Sequence, residues 1–263
     1  MDKSYFTGRV FLVTGAGSGI GFETARVLLE NGAFVHAFVR KSPALEALQK
    51  QYKNSLSIFK GDVAKPKDCE KYVRGAAKKY KKINALVHCA GVGIRSAARD
   101  IQNDVFRNVM EVNFNAMVYL LGFCRKYIEK ENGHVVAVSS VQGMVALPYR
   151  SVYGAAKHAL NAYIRSVRLE EKNIHYLCVN FGYVKTDFSV NALTGEGDRY
   201  SRVSAGQLKG LDVAEAVRMM LEAIVKRKKE ITPAGFKEKF ALFVYRLFPA
   251  LYDILIVRFV KPD

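Results

Sequence analysis

The chain of 263 residues contains no tryptophan, only 4 cysteines and only 6 prolines. The cysteines stand far apart and form no Cys-x-x-Cys pair, which argues against a disulfide framework and against a metal site. We therefore expect reduced thiols in a cytoplasmic protein. Cys89, Cys124 and Cys178 have apolar neighbours, so we expect the thiols to be mostly buried, whereas Cys69, between charged residues, is predicted to be exposed.

Acidic residues are also scarce, because 24 Asp and Glu stand against 41 Lys and Arg, a formal net charge of +17. Such an excess would suit nucleic acid or an anionic membrane as a partner. The densest basic runs, residues 78–82 and 226–229, fall where predicted helices end, and cations there complement the helix dipole and stay hydrated. No zinc-finger spacing or aromatic RNA-binding signature accompanies them, so we expect no nucleic-acid partner.

Apolar residues, by contrast, make up 50% of the chain and alternate between short runs and longer segments of helical periodicity. The runs lie at residues 10–13, 34–39, 56–59, 85–87, 135–138 and 176–179, and helices are predicted near 20–31, 44–53, 67–81, 104–130 and 151–172. This alternation predicts an α/β protein with a single doubly wound parallel sheet of the Rossmann type, flanked by helices on both faces. We expect this domain to span residues 1–235.

A glycine-rich turn follows the first predicted strand and contains Gly15, Gly19 and Gly21. Glycine permits positive φ and close backbone approach, and a helix that begins near Gly19 directs unpaired N–H groups at a phosphate. Ligands of such sheets bind beyond the carboxyl ends of the strands, where this turn lies. A tight connection without a ligand would look similar, but the position after the first strand favours nucleotide binding.

Tyr153 and Lys157 are one turn apart on the predicted helix that follows Pro148, so both side chains project from the same face. A positive charge beside a phenol favours the phenolate and is predicted to lower the pKa of Tyr153 from about 10 toward neutrality. The phenol would then suit general acid or base catalysis. Because the chain has 14 Tyr and 41 Lys and Arg, chance could also supply such a pair on a solvated helix face.

The order of the motifs decides between these interpretations, because from about residue 8 to 232 the chain resembles the short-chain dehydrogenase/reductase family. The residues that match the family's motifs are Thr14, Gly15, Gly19 and Gly21 in the glycine turn, Asp62-Val63, Ala90-Gly91, Asn113, Ser140, and Tyr153 with Lys157. The family's Asn-Asn-Ala-Gly reads here as His88-Cys89-Ala90-Gly91, and its usual Pro-Gly reads as Phe181-Gly182. His88 could be an additional acid or base, although a histidine at a strand end is more often structural.

The resemblance implies an oxidoreductase with the catalytic residues Asn113, Ser140, Tyr153 and Lys157. Tyr153 would exchange a proton with the substrate oxygen, and Ser140 would hold that oxygen by a hydrogen bond. Lys157 would lower the pKa of Tyr153 and bind the nicotinamide ribose, and Asn113 would hold a water that relays protons. The implied cofactor-binding residues are Gly15, Ser18, Gly19, Ile20, Arg40, Asp62, Val63, Ala90, Gly91, Tyr153, Lys157 and Thr186.

The end of the second predicted strand bears on the choice of cofactor. NAD enzymes of the family carry an aspartate there for the adenosine ribose, whereas this chain has Val39 followed by Arg40 and Lys41. Arg40 can pair with a 2′-phosphate, and Lys41 or Ser42 could assist. We therefore expect NADP(H) rather than NAD(H), the alternative being a solvated basic turn.

Residues 236–263 form an apolar extension that Arg246, Pro249, Asp253 and Arg258 interrupt too often for a membrane-spanning helix. Two short amphipathic helices around Pro249 are predicted instead. They could lie in a membrane interface facing the cytosol, close over a hydrophobic substrate, or pack against another subunit. Residues 187–210 lie where the family has its substrate loop.

Similar apolar tails occur in family members that act on steroids, retinoids and long-chain lipids, so we expect a hydrophobic ketone or secondary alcohol as substrate. The resemblance further implies a homodimer or homotetramer. Two alternatives stay open: a cytosolic carbonyl or 3-oxoacyl reductase, and a nucleotide-binding regulator that kept the fold without turnover.

Overall fold

The computed structural model describes residues 3–260 and contains a seven-stranded sheet in the order β3-β2-β1-β4-β5-β6-β7. The strands are β1 (Val10–Thr14), β2 (Phe34–Val39), β3 (Leu56–Lys60), β4 (Ala85–His88), β5 (His134–Ser140), β6 (His175–Phe181) and β7 (Glu230–Ile231). The helices are α1 (Gly19–Glu30), α2 (Pro43–Gln51), α3 (Pro66–Tyr80), α4 (Asn103–Met110), α5 (Ala116–Lys130), α6 (Ser151–Glu170), α7 (Ala205–Leu208), α8 (Val213–Val225), α9 (Phe236–Leu247) and α10 (Pro249–Phe259). Residues 1–2 of the predicted domain (1–235) and residues 261–263 of the predicted extension (236–263) lie outside the described residues.

The strand pairs are all parallel, and β1 lies between β2 and β4. One core packs α1, α2 and α8 against one face of the sheet, and a second core packs α3, α5 and α6 against the other. The predicted fold class, a doubly wound parallel sheet flanked by helices, is therefore confirmed. The strand order reverses next to β1, which opens a crevice beyond the carboxyl ends of β1 and β4.

The helix predicted at residues 104–130 is interrupted, because a π-helical turn (Glu111–Asn115) separates α4 from α5. The buried Asn113 side chain donates to the backbone carbonyls of Val92 and Val109, both at 2.9 Å. Asn113 makes these contacts from within the wider π-helical turn. Such turns inside α-helices frequently occur at functional sites. The two-residue strand β7 was not predicted, because it is too short to produce an apolar run.

The prediction that Cys69 is exposed is wrong, since the thiol is buried. Cys69 lies on the face of α3 that carries Tyr72, Val73 and Ala76 into the core, while its charged sequence neighbours occupy the other faces of the helix. Its Sγ contacts the Val63 carbonyl oxygen at 3.3 Å. Helical periodicity therefore decides its environment, and the charge of adjacent residues does not.

Helices α9 and α10 pack on each other as a C-terminal hairpin, in agreement with the predicted helical extension. Val244 and Tyr252 are buried against Val145, and the Tyr252 hydroxyl donates to the Ala146 carbonyl oxygen at 2.7 Å. The hairpin is thereby attached to the loop that follows β5. Within residues 3–260, every helix is too short or too polar to cross a bilayer.

Candidate active site

A cavity of about 570 Å³ opens at the carboxyl ends of the strands, beside the β1–α1 turn. Its walls include these predicted site residues: Gly15, Ser18, Gly19, Ile20, Arg40, Asp62, Val63, Ala90, Gly91, Ser140, Tyr153, Lys157 and Thr186. Asn113 lies behind the wall, in the π-helical turn, and is completely buried. The fold therefore brings the glycine turn and the Tyr153–Lys157 pair to one cavity.

The glycine turn needs glycine at several positions for steric reasons. Gly15 and Gly19 adopt left-handed φ values of 63° and 51°. A Cβ on Gly15 would lie 2.7 Å from the Ala90 nitrogen, and one on Gly21 would lie 2.2 Å from the Gly15 carbonyl oxygen. Ser18, the N-cap of α1, makes no side-chain hydrogen bond to the first turn of that helix in the described chain. The turn is therefore a backbone cradle at a helix N-terminus, which fits a phosphate group.

The end of β2 brings two cations to the same cavity. Arg40 and Lys41 are exposed side chains on its wall. Ser42 is engaged elsewhere, because its hydroxyl donates to the Gly17 carbonyl oxygen at 3.0 Å and accepts from the Leu45 N–H at 3.1 Å, capping α2. Of the two residues expected to assist Arg40, Lys41 is thus the one that lies on the cavity wall.

Asp62 and Thr186 mark two further parts of the cavity wall. The Asp62 carboxylate accepts from the Ala64 N–H at 3.0 Å, which fixes the turn after β3. The Thr186 hydroxyl accepts from the Gln207 side chain at 2.9 Å, and its methyl carbon would lie 3.1 Å from a Cβ on Gly19. The loop after β6 therefore contacts the start of α1.

Ser140, Tyr153 and Lys157 converge from β5 and α6. The Ser140 Oγ accepts from the Gln142 N–H at 3.2 Å, and the Ser140 side chain lies close enough to the Tyr153 phenol to affect the pKa of that group. The Lys157 Nζ lies 5.7 Å from the centroid of the Tyr153 ring and donates to the Val138 carbonyl oxygen at 2.9 Å. One phenol, one hydroxyl and one ammonium group are thereby held around a common space.

The pKa of Tyr153 is not lowered toward neutrality, as was expected from the sequence, but raised. Burial raises the pKa of Tyr153 to about 12, while the Ser140 hydrogen bond and the charge of Arg150 lower it by less. Burial also lowers the pKa of Lys157 to about 8. Desolvation disfavours the charged form of both groups, and the Lys157 ammonium is directed at a carbonyl oxygen. Tyr153 is consequently held protonated, as a proton donor requires.

Asn113 braces the backbone that follows β4. Its Oδ1 accepts from the Val92 N–H at 3.3 Å while its Nδ2 donates to the Val92 carbonyl, so the amide pairs with both polar groups of one residue. A Cβ on Gly91 would lie 2.9 Å from the Asn113 Oδ1 and 3.7 Å from the Lys157 Nζ. Asn113, Gly91 and Lys157 are therefore packed without spare room.

Gln142, Arg150 and Phe188 are among the residues of the cavity wall that were not predicted as site residues. Arg150 is buried and immediately precedes α6, three residues before Tyr153, so helical spacing could have indicated it. The Phe188 ring lies 5.7 Å from the Tyr153 ring, but it reaches that place through an irregular loop. Gln142 follows a strand end in a short 3₁₀ turn, and neither position has a periodic signal.

The described part of the chain holds no cluster of three or more His, Cys, Asp or Glu side chains placed to bind a metal ion. The titratable residues of the cavity wall are two tyrosines, two lysines, three arginines, one cysteine and two aspartates. These groups suit proton transfer to an oxygen atom and binding of an anionic cofactor.

Known proteins are similar to this chain in sequence and in fold. The pattern of the family described as short chain dehydrogenase matches residues 9–197. Dehydrogenase/reductase SDR family member 7B of Mus musculus is 32% identical over 261 residues, covering 95% of this chain and 81% of the relative. A short-chain dehydrogenase of Streptomyces avermitilis has a TM-score of 0.82 at 22% identity, covering 94% of both chains. One of Burkholderia cenocepacia, in complex with NADP, has a TM-score of 0.79 at 21% identity, covering 96% of this chain and 98% of its own.

The family pattern extends over most of the chain, from β1 into the loop after β6. The mouse relative matches beyond that region, because its alignment covers nearly the whole chain. The solved structures are more distant in sequence and establish the fold. With the parallel sheet and the cavity at its carboxyl edge, these similarities lead to one conclusion: the chain belongs to the short-chain dehydrogenase family and is an oxidoreductase enzyme.

Proposed function

We propose that the protein is an NADP(H)-dependent oxidoreductase that reduces a ketone, or oxidises a secondary alcohol, on a hydrophobic substrate. The observation that carries the proposal is the shared cavity of the glycine turn and the Ser140, Tyr153 and Lys157 side chains. A dinucleotide cradle and a proton donor are needed at one place for hydride transfer to a carbonyl carbon. We further propose residues 1–235 as the catalytic domain and residues 236–263 as an apolar tail.

The proposed chemistry assigns one task to each side chain. A bound nicotinamide would supply the hydride during reduction and accept it during oxidation. Tyr153, which burial keeps protonated, donates its proton to the substrate oxygen during reduction and takes it back during oxidation. Ser140 donates a hydrogen bond to that oxygen, and the positive charge of Lys157 stabilises the phenolate that remains. Asn113 holds the Gly91–Val92 backbone and, with it, the wall beside Lys157.

The cofactor would be held along the carboxyl edge of the sheet. Gly15, Ser18, Gly19 and Ile20 would bind its phosphates at the N-terminus of α1. Further along, we propose Asp62 and Val63 for the adenine, and Ala90, Gly91 and Thr186 for the region nearer the nicotinamide.

The preference for NADP(H) rests on the end of β2. Arg40 and Lys41 lie on the cavity wall there, and the residue before them is Val39 rather than an acid that would repel a 2′-phosphate. A guanidinium can bind a phosphate through two hydrogen bonds. The relative from Burkholderia cenocepacia, solved with NADP, supports the same choice.

Charge reversal tests the cofactor preference. In Arg40→Asp, the ratio of kcat/KM for NADPH to that for NADH should fall by about a hundredfold, since a favourable phosphate contact becomes repulsive. Lys53→Asp, which makes the same change of net charge at an exposed position off the cavity wall, should leave the ratio unchanged. An unaltered ratio in Arg40→Asp would assign the 2′-phosphate contact to another residue.

Proton transfer is tested with a panel of ketones and NADPH. Tyr153→Phe should lower kcat by about a hundredfold or more while NADPH still binds, because the proton donor is lost without loss of the ring. Tyr163→Phe is the matched control, since Tyr163 lies on the same helix with its ring against Phe114. Full turnover in Tyr153→Phe would contradict the mechanism. A wild-type protein that binds NADPH and reduces no ketone would favour a nucleotide-binding regulator.

The C-terminal hairpin supports a hydrophobic substrate delivered at a membrane surface. Most of the large apolar side chains that are exposed in the described chain lie on it: Phe236, Phe240, Phe243, Leu247, Phe248, Leu251, Ile254 and Val257. A concentration of exposed apolar side chains on one part of a protein is typical of a binding surface. The cations Lys237, Lys239, Arg246 and Arg258 are exposed on the same helices, which suits anionic lipid.

We therefore propose peripheral membrane contact through the hairpin, and vesicle sedimentation tests it. The double variant Phe240→Asp with Phe243→Asp should reduce binding to phosphatidylserine-containing vesicles at least tenfold, because two apolar side chains are lost from the interface. Leu169→Asp, which changes an exposed apolar residue at the end of α6, should bind as the wild type does. Equal binding by all three proteins would contradict membrane contact through the hairpin and would favour packing of the hairpin against another subunit.

The subunit number is a separate proposal. The family resemblance favours a homodimer or homotetramer, and mass photometry at nanomolar concentration would measure it. If the double variant at Phe240 and Phe243 changes the subunit number while vesicle binding is unaltered, the hairpin contacts another copy of the chain rather than lipid.

A further inference from the structure

Asn161 lies on α6 one turn beyond Lys157, which itself lies one turn beyond Tyr153. The three side chains therefore share one face of the helix, and all three residues are buried. The chemistry proposed above gives tasks to Tyr153 and Lys157 and none to Asn161. A buried amide costs free energy unless its polar atoms are paired, so its partners indicate what it does.

The Asn161 amide binds the turn that follows Ser140. Its Nδ2 donates to the Gly143 carbonyl oxygen at 3.0 Å. Gly143 ends a 3₁₀ turn (Val141–Gly143), here called the serine turn, and the Ser140 hydroxyl caps the start of that turn by accepting from the Gln142 N–H. The contact is tight, because a Cβ on Gly143 would lie 2.7 Å from the Asn161 Nδ2. A displacement of the amide would therefore displace the turn that Ser140 caps.

The other groups of the Asn161 amide are paired with β6. Its Nδ2 also donates to the Asn180 Oδ1 at 2.9 Å, and its Oδ1 accepts from the Cys178 thiol at 3.0 Å. Both partners are completely buried. Each N–H of the amide thus has an acceptor and its oxygen has a donor, so the orientation of the side chain is fixed.

A carboxylate at the edge of the sheet orients the second amide. The Asn180 Nδ2 donates at 2.8 Å to Glu230 in β7, and the Arg165 guanidinium on α6 donates to the same carboxylate at 2.7 and 3.2 Å. Because a carboxylate only accepts hydrogen bonds, Asn180 must direct its Nδ2 at Glu230 and its Oδ1 at Asn161. The hydrogen bonds therefore form one directed series from the ion pair at the sheet edge to the Gly143 carbonyl.

We infer that Asn161 is a positioning residue, which places the Ser140 hydroxyl by fixing the serine turn through the Gly143 carbonyl. Asn180 and Glu230 orient its amide and connect it to the edge of the sheet. The inference rests on the proposed function, in which Ser140 holds the substrate oxygen. A displacement of about 1 Å in such a group can lower a rate by about a hundredfold.

Hydrogen exchange tests the support of the serine turn without an activity assay. Asn161→Leu keeps the size of the side chain and removes the amide. The N–H groups of Met144 and Val145, which donate to the Val141 carbonyl oxygen, should then exchange at least about tenfold faster, because the turn opens more often. Asn173→Leu, at an exposed position between α6 and β6, should leave these rates unchanged. Equal rates in Asn161→Leu and the wild type would overturn the inference.

A double-mutant cycle tests whether Asn161 acts through Ser140. With a ketone and NADPH, Asn161→Leu should lower kcat about tenfold while KM changes less than about threefold. In a Ser140→Ala background the same substitution should lower kcat less than about twofold further, since the group that Asn161 places is already absent. Equal factors in the two backgrounds, or a wild-type kcat in folded Asn161→Leu, would contradict positioning of Ser140.

A milder variant covers a failure of Asn161→Leu to fold. Glu230→Gln keeps the size of a partly exposed side chain and removes the charge that orients Asn180. It should lower kcat about threefold when Ser140 is present and have no effect in Ser140→Ala; the same loss in both backgrounds, or no loss in either, would overturn the inference. If the wild type reduces no ketone, the proposed function fails, and the exchange rates of Asn161→Leu or Glu230→Gln decide separately whether these residues fix the turn.

Discussion

At the cavity and directly behind its wall, polar and titratable side chains such as Asn113, Tyr153 and Lys157 are buried, whereas on the C-terminal hairpin large apolar side chains such as Phe240 and Phe243 face solvent. Each arrangement costs free energy in an isolated chain in water. In the cavity, hydrogen bonds within the chain offset the cost, as those of Asn113 do. On the hairpin nothing within the described residues covers the exposed rings. The comparison shows that hydrogen bonds within the chain stabilise buried polar groups at the cavity, whereas the large rings of the hairpin stay exposed to solvent.

Among the predicted effects, the largest is a loss of unfolding free energy in acid, which should come from the sheet that carries the cavity and not from the hairpin. Burial lowers the pKa of His36 to about 4 and those of His88 and His134 to about 3, well below the ordinary histidine pKa of 6.5. A lowered folded-state pKa contributes stability that is fully present above pH 6.5 and is lost as the pH falls toward 4. Three such groups give a slope of up to about 4 kcal/mol per pH unit in the unfolding free energy.

Urea unfolding between pH 7 and pH 4.5 measures this slope. His134→Gln should reduce it by about a third, and His158→Gln should leave it unchanged because His158 is exposed on α6. The hairpin contains no histidine, so vesicle binding by protein that is still folded should not follow the same pH dependence. A flat stability profile would mean that these rings are not buried as neutral groups.

Removing the buried ammonium should have the next largest effect. Lys157→Met should lower kcat by about a hundredfold, because the phenolate of Tyr153 loses the positive charge that stabilises it. Lys126→Met is the control, since Lys126 is exposed and its Nζ lies 5.2 Å from the centroid of the Tyr127 ring. Steady-state kinetics with NADPH and a ketone would measure both variants. Equal kcat values would remove Lys157 from the chemistry.

A single methyl group should disturb the closely packed wall of the cavity. Gly91→Ala places a Cβ 2.9 Å from the Asn113 Oδ1, so the amide must move, and kcat should fall about tenfold. Gly122→Ala, on α5 with no atom within 4 Å of the added carbon, should leave kcat unchanged and stabilise the helix slightly. Wild-type kcat in Gly91→Ala would show that the wall tolerates displacement.

The contact between the two regions should contribute least. Tyr252→Phe removes the hydrogen bond to the Ala146 carbonyl and should lower the unfolding free energy by about 1 kcal/mol, with less than a threefold change in kcat. Tyr245→Phe, whose ring packs 5.1 Å from that of Tyr252, is the matched control. Denaturant titration and vesicle binding together would show whether the hairpin can loosen from the catalytic region. A large loss of kcat in Tyr252→Phe would mean that the two regions act as one.

Much of the cavity could be predicted from sequence because its parts are encoded locally. The tight turn from Gly15 to Gly21 needs glycine for local steric reasons. The spacing of Tyr153 and Lys157 places both side chains on one face of any helix. The exposure of Cys69 was predicted incorrectly, because the prediction relied on the charged neighbours of Cys69. The helical period, which places the thiol in the core, was the better guide. In the π-helical turn at Glu111–Asn115, Asn113 bonds to Val92, which is distant in sequence, and no local pattern encodes such a contact.

The sequence by itself determined the alternation of strands and helices, the family, and the residue types gathered at the carboxyl edge of the sheet. Only the tertiary structure decided the electrostatics of those residues. The expected lowering of the Tyr153 pKa considered one neighbouring charge, but burial raises that pKa to about 12 and leaves His88 neutral beside Lys157. The physical reason is that spacing along a chain is a local property, whereas desolvation depends on every element packed around a group.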